Sequence, residues 1–127
     1  MADNCPSYPR IDPVPQFVAR PLWSVMIPTY NSVDYLPATL ASVLDQLPPD
    51  AAQVEVVDDC SGKVDSRAVV NQWGRGRVAY YSQPLNVGPQ ANFTTCVQRA
   101  VGHWVHILHD DDMVLPGFYA SAEAAAD

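Results

Sequence analysis

Four short apolar runs alternate with four stretches of helical spacing, and a chain ordered in this way has few folds open to it. Leu22-Trp23-Ser24-Val25-Met26-Ile27, closed by Pro28, reads as a buried strand. Leu36, Leu40, Val43, Leu44 and Leu47 then keep helical period, with Asn31 or Ser32 as N-cap, Pro37 in the first turn and Pro48-Pro49 as the stop. Val54 to Val57 is a second strand, Ser66 to Trp73 a weaker helix, and Arg77 to Ser82 a third strand. Asn86-Val87-Gly88-Pro89 is turn chemistry, Ala91 to Val101 has helical composition, and Trp104 to Leu108 is a fourth strand. Leu115-Pro116-Gly117 opens an alanine-rich helix that runs to Asp127. The order β-α-β-α-β-α-β-α predicts an α/β fold, an open, mostly parallel twisted sheet with helices on both faces. Residues 1–21, with Pro6, Pro9, Pro13, Pro15 and Pro21, are expected to form an extended leader, which leaves 22–127 for the α/β domain.

Two of these strands run into acids: Asp58-Asp59 follow the second, and His109-Asp110-Asp111-Asp112 follow the fourth. Adjacent carboxylates repel, and a hard divalent cation such as Mg²⁺ or Mn²⁺ is one reason for a fold to hold them together. A solvated acidic patch is the other reading. Their place at the carboxyl ends of parallel strands, where open α/β sheets bind ligands, favours the first.

Charge narrows the function classes. With 14 acidic and 7 basic residues in 127, the net charge of -7 offers no basic face for a general nucleic-acid binder. One bound nucleotide is still compatible, because a metal ion can meet its phosphates. Cys5, Cys60 and Cys96 form neither a CxxC pair nor a disulfide framework and read as reduced thiols of a cytoplasmic protein. No apolar run approaches the ~18 residues of a transmembrane helix, and Met1 to Arg10 lacks the apolar centre of a signal peptide. The expectation is a soluble protein, at the inner face of a membrane if its acceptor lies there.

Four segments together resemble a known family. Val25-Met26-Ile27-Pro28-Thr29-Tyr30-Asn31 is similar to the opening strand and loop of family 2 glycosyltransferases, and Val56-Val57-Asp58-Asp59-Cys60-Ser61 to their nucleotide-binding loop. Asn86-Val87-Gly88 and Leu108-His109-Asp110-Asp111-Asp112, followed by Pro116, complete the series in the family's order. The resemblance runs from about Ser24 to Phe118. It implies the Rossmann-like GT-A fold, truncated to its nucleotide-sugar-binding half.

It also implies roles for these positions. Pro28, Thr29 and Tyr30 would line the base and ribose pocket, Asp59 would contact the base, and Asp58 would support the loop or the ribose. Asp111 would be the principal metal ligand, Asp110 would face ribose or metal, and Asp112 would be an alternative ligand, with Mg²⁺ or Mn²⁺ as the ion. The partner implied is a UDP-, GDP- or dTDP-sugar, and the sugar would pass, by inversion, to a glycan, lipid or protein hydroxyl. Two positions depart from the family pattern: Cys60 stands where a small residue, often glycine, is usual, and His109 where many relatives carry the first acid of DxD. The acceptor-binding half and its general base match nothing here, so the chain is expected to be a donor-binding fragment, inactive alone.

The remaining candidates have plainer readings. Asn86 and Gly88 shape a turn, with a donor contact as the sharper role; Asn92 is structural at a helix start; Arg99 and Lys63 are solvated. His106 is a packed or hydrogen-bonded strand residue, His103 sits in a turn, and His109 lines a loop, since imidazole suits Mg²⁺ poorly. Cys60 lacks a base that would make it a nucleophile. Two rival functions stay open: a catalytically silent nucleotide-binding or interaction module, and a nucleotide-sugar pyrophosphorylase-like nucleotidyltransferase. The second would need a glycine-rich basic loop after the first strand, which Pro28-Thr29-Tyr30-Asn31 is not.

Overall fold

The computed structural model describes residues 9–16 and 19–126. Eight elements follow in the expected order: β1 (Trp23–Thr29), α1 (Leu36–Leu44), β2 (Ala52–Asp58), α2 (Ser66–Trp73), β3 (Val78–Ser82), α3 (Pro89–Arg99), β4 (Trp104–Ile107) and α4 (Phe118–Ala126). The strands make one sheet in the order β3-β2-β1-β4, parallel throughout. Leader residues 9–16 and 19–21 carry neither helix nor strand, while residues 1–8, 17 and 18 and the helix end expected at Asp127 lie outside the described residues. Among the described residues no helix is long and apolar enough to cross a membrane.

The chain steps from β1 to β2 to β3 in one direction and then returns past β1 to β4. That reversal puts the helices on opposite faces. On one face Val25, Ile27, Val54 and Val56 pack with Leu36, Leu40 and Val43 of α1, Val70 of α2 and Tyr119 of α4. On the other, Met26 and Val57 pack with Cys96 of α3 and Ala100. The reversal also leaves a switch point at the carboxyl ends of β1 and β4, the place where such sheets bind ligands.

Three local expectations are corrected. First, β1 does not stop before Pro28 but runs through it to Thr29. Met26 O accepts the Leu108 N–H, so the Pro28 nitrogen, two residues on, points to the same side, where β4 has already ended. The missing N–H therefore breaks no ladder bond. Second, α1 begins at Leu36 after Tyr35, without a side-chain cap; Asn31 and Ser32 lie too far upstream, and Asn31 is used elsewhere. Third, α3 starts two residues early because Gly88 (φ 93°) makes the turn and Pro89 suits the first helical position. Arg99 stays exposed at the helix surface as expected, its side chain 38 % accessible, and it also pairs with buried Glu55 and lies over the Tyr81 ring, 4.1 Å from its centroid.

Candidate functional site

The loops after β1, β2 and β4 meet at the carboxyl edge of the sheet. Asn31, in the left-handed region (φ 51°), accepts the Gly62 and Lys63 N–H groups on its Oδ1, both at 2.9 Å. Its own N–H donates to Ser61 Oγ at 2.8 Å. The loop after β1 is thus tied to the loop after β2 before any ligand is considered. Cys60 also has a positive φ, 59°, which accounts for the residue type usual there: glycine takes that conformation without the Cβ clash.

The two acids that end β2 have separate duties. Asp58 is buried, and its carboxylate accepts from Ser61 N–H (3.1 Å) and Oγ (2.5 Å), Ser66 Oγ (2.5 Å) and Tyr80 OH (2.5 Å). Burial, and after it the Asp58 bond, raise the Tyr80 hydroxyl above its ordinary pKa. Asp58 thereby pins the loop to α2 and β3, and it lies off the cleft wall. Asp59 points the other way. Its Oδ1 accepts Val87 N–H (2.7 Å), and its Oδ2 accepts Gly88 N–H and Asn86 Nδ2 (both 2.9 Å). Two successive backbone N–H groups grip one carboxylate, an arrangement that the turn at Gly88 permits.

Thr29, at the end of β1, donates through Oγ1 to Asp110 Oδ2 at 2.6 Å, which ties β1 to the tract after β4. Burial holds the Asp110 carboxyl above the usual carboxylate range; the Thr29 bond pulls it down, adjacent Asp111 pushes it up, and His109 pulls it down. These ties enclose a cleft of about 390 Å³, a volume suited to a small organic ligand. Pro28, Thr29, Tyr30, Asp59, Asn86, Gly88 and Asp110 line it. Asp58, Asp111 and Asp112 do not, and the latter two are exposed beside it. No Lys or Arg is among the described lining residues, so the cleft itself has no fixed cation for a phosphate.

The wall also holds Ser32, Pro89, Asn92, Phe93 and His109. His109 is the loop-lining residue expected. Asn92 is structural as expected, donating from Nδ2 to Val57 O at 3.0 Å, and it faces the cleft as well. Phe93 is the residue the sequence pattern passes over; its one signal is an aromatic ring close to a helix start, 46 % exposed. His106 is packed as expected, with Nδ1 3.0 Å from Tyr119 OH and its ring stacked on Phe118.

Which residues could hold a metal follows from the donor chemistry. Among the described residues no three His, Cys, Asp or Glu side chains converge as an all-protein cage. Asp110, Asp111 and Asp112 offer oxygen donors only, in sequence and at the cleft's edge. Such a set fits Mg²⁺ or Mn²⁺ in the mode that takes one or two carboxylates and completes its shell with water and phosphate.

Comparison with known proteins identifies the scaffold. The family model described as glycosyl transferase family 2 matches residues 24–126. The chain belongs to that family. A putative teichuronic acid biosynthesis glycosyltransferase, TuaG of Bacillus subtilis, is 36 % identical over 97 residues, covering 73 % of this chain and 37 % of its own. The GalNAc(5)-diNAcBac-PP-undecaprenol β-1,3-glucosyltransferase of Campylobacter jejuni is 32 % identical over 101 residues, or 76 % of this chain and 32 % of its own. The present chain therefore spans about a third of these relatives. Among solved structures, S. aureus TarS 1-349 in complex with UDP-GlcNAc superposes with a TM-score of 0.71 at 29 % identity, over 80 % of this chain and 30 % of that one. The parallel α/β sheet is accordingly the GT-A sheet of family 2, and the cleft lies at its carboxyl edge.

Proposed function

We propose that this family 2 chain is the donor-binding half of a glycosyltransferase, taking a UDP-, GDP- or dTDP-sugar into the cleft between Asp59 and Asp110. The carrying observation is that acids from two strands on opposite sides of β1 line one cleft at the ligand edge of the sheet. TarS, solved with UDP-GlcNAc, supports the class of ligand. The base would lie toward Asp59, Asn86 and Gly88, with Pro28, Thr29 and Tyr30 against base and ribose. Asp58 acts at one remove, by holding the loop that presents Asp59.

The diphosphate would lie toward Asp110, Asp111 and Asp112, with Asp111 as principal metal ligand. A Mg²⁺ or Mn²⁺ ion held there would neutralise the charge that develops on the leaving nucleoside diphosphate. In the transfer an acceptor hydroxyl bonds to the anomeric carbon with inversion, the bond from that carbon to the phosphate oxygen breaks, and the nucleoside diphosphate leaves with the electron pair. The acceptor's proton goes to a general base. A cytoplasmic location fits the free thiols of Cys60 and Cys96.

Calorimetric titration of UDP, GDP and dTDP, each with and without Mn²⁺, tests the reading. One nucleotide should bind, more tightly with metal, and Asp111→Asn should remove the metal's contribution. Equal binding without metal, or no binding of any nucleotide, refutes it.

A further inference from the structure

Helix α1 and the turn after it carry three polar side chains at helical spacing, Thr39, Ser42 and Gln46, and all three reach the backbone of residues 110–115. Thr39 is wholly buried (0 % exposed) on the face formed by Leu36, Leu40 and Val43, where an unbonded hydroxyl is costly. Its Oγ1 lies 2.6 Å from Asp112 O, 3.0 Å from Tyr35 O and 3.1 Å from Asp110 O, so its one proton is shared, with Asp112 nearest. Ser42 Oγ accepts the Val114 N–H (3.1 Å) while donating to Thr39 O (2.7 Å), and Gln46 Nε2 donates to Leu115 O (2.9 Å). Buried Val114 anchors the far end. The acidic tract is thus held through its main chain, which leaves the Asp111 and Asp112 carboxylates exposed beside the cleft.

We propose that Thr39 is a positioning residue for the donor site: from inside the core it fixes the backbone at Asp110 and Asp112 and so sets where the tract presents its carboxylates. The proposal rests on the donor-binding reading above. Helix packing alone does not ask for this hydroxyl, because valine has the same shape and would suit the apolar face. What valine lacks is a donor for two carbonyls that bracket Asp111. Neighbours that orient metal ligands are worth about 10- to 100-fold in metal affinity, and this one acts through the main chain.

The test compares Thr39→Val, Thr39→Ser and Ser42→Ala with the wild type, by amide hydrogen exchange without ligand and by calorimetry with UDP and GDP, with and without Mn²⁺. In Thr39→Val the amides from Asp110 to Val114 should exchange faster, the Mn²⁺-dependent gain in nucleotide affinity should fall about tenfold, and metal-free affinity should hold. Thr39→Ser, which keeps the hydroxyl, should restore both. Ser42→Ala should produce a smaller loss of the same kind, and it carries the test should Thr39→Val fail to fold. Unchanged exchange overturns the clasp. Faster exchange with an intact Mn²⁺ gain, or equal loss of metal-free and metal-dependent binding, overturns the positioning role. A wild type with no Mn²⁺ gain instead refutes the donor-site reading, whatever the exchange shows.

Discussion

Replacing Asp58 by alanine should cost stability before it costs anything else. Its carboxylate is 2 % exposed and accepts four bonds, three from hydroxyls and one from the Ser61 backbone N–H. A hydrogen bond to a charged group contributes about 1.5–3 kcal/mol net, and each buried donor left without an acceptor costs about 1–3 kcal/mol. These contributions do not add, since one carboxylate takes all four and its own burial is costly. Relief from that burial offsets part of the loss, and about 3 kcal/mol is expected. For a chain of 127 residues this corresponds to a fall in Tm of roughly 10 °C. Asp58→Asn should cost about half as much, because the hydroxyls of Ser61, Ser66 and Tyr80 can turn to accept from an amide whereas the Ser61 N–H cannot. Urea and thermal unfolding followed by circular dichroism measure both. A loss under about 1 kcal/mol for Asp58→Ala, or an asparagine variant as damaged as the alanine one, refutes the role given to this carboxylate.

Two further changes probe the same frame. Cys60→Gly removes a side chain from a left-handed backbone position (φ 59°) and, after the added flexibility of the unfolded chain is counted, should stabilise by about 0.5–1 kcal/mol; a lowered Tm would show that the thiol contributes packing that outweighs the strain. Burial lowers the His106 pKa from its ordinary 6.5, so the unfolded chain binds this proton more readily than the folded one. The resulting stability is intact above about pH 6.5 and is lost as pH falls through it, at no more than about 1.4 kcal/mol per pH unit. His106→Gln should flatten that limb of the stability–pH curve relative to wild type, and parallel curves from pH 7.5 to 5.5 would refute the assignment. Asp110, held above the usual carboxylate range, acts with the opposite sign at lower pH, which is why the comparison is with the variant.

The alternation of strands and helices was legible because period and punctuation are local: Pro48-Pro49 stops a helix whatever lies around it. What eluded the sequence depends on partners far along the chain. Pro28 reads as a strand end, yet it is tolerated inside β1 because β4 is short, and nothing near residue 28 reports the length of a strand 76 residues away. Arg99 reads as solvated and is exposed, but its ion pair was not legible, because its partner Glu55 is buried on a strand where alternation alone would have allowed either face.

The pair Asp58-Asp59 shows how far the site could be read. Strand side chains alternate between faces, so Asp58 must share the face of Val54 and Val56, and Asp59, just past the strand, must continue that of Glu55 and Val57. The sequence contains this parity and so separates the two acids. It does not say which face carries the cleft. That is decided by the return of the chain to β4, which sends α3 to the face of Val57 and brings the turn at Asn86–Gly88 against Asp59. The other face is already occupied by α1 and α2, and there Asp58 meets Ser66 and Tyr80. One residue of register separates a loop anchor from a cleft-lining acid, and the choice between them belongs to the topology.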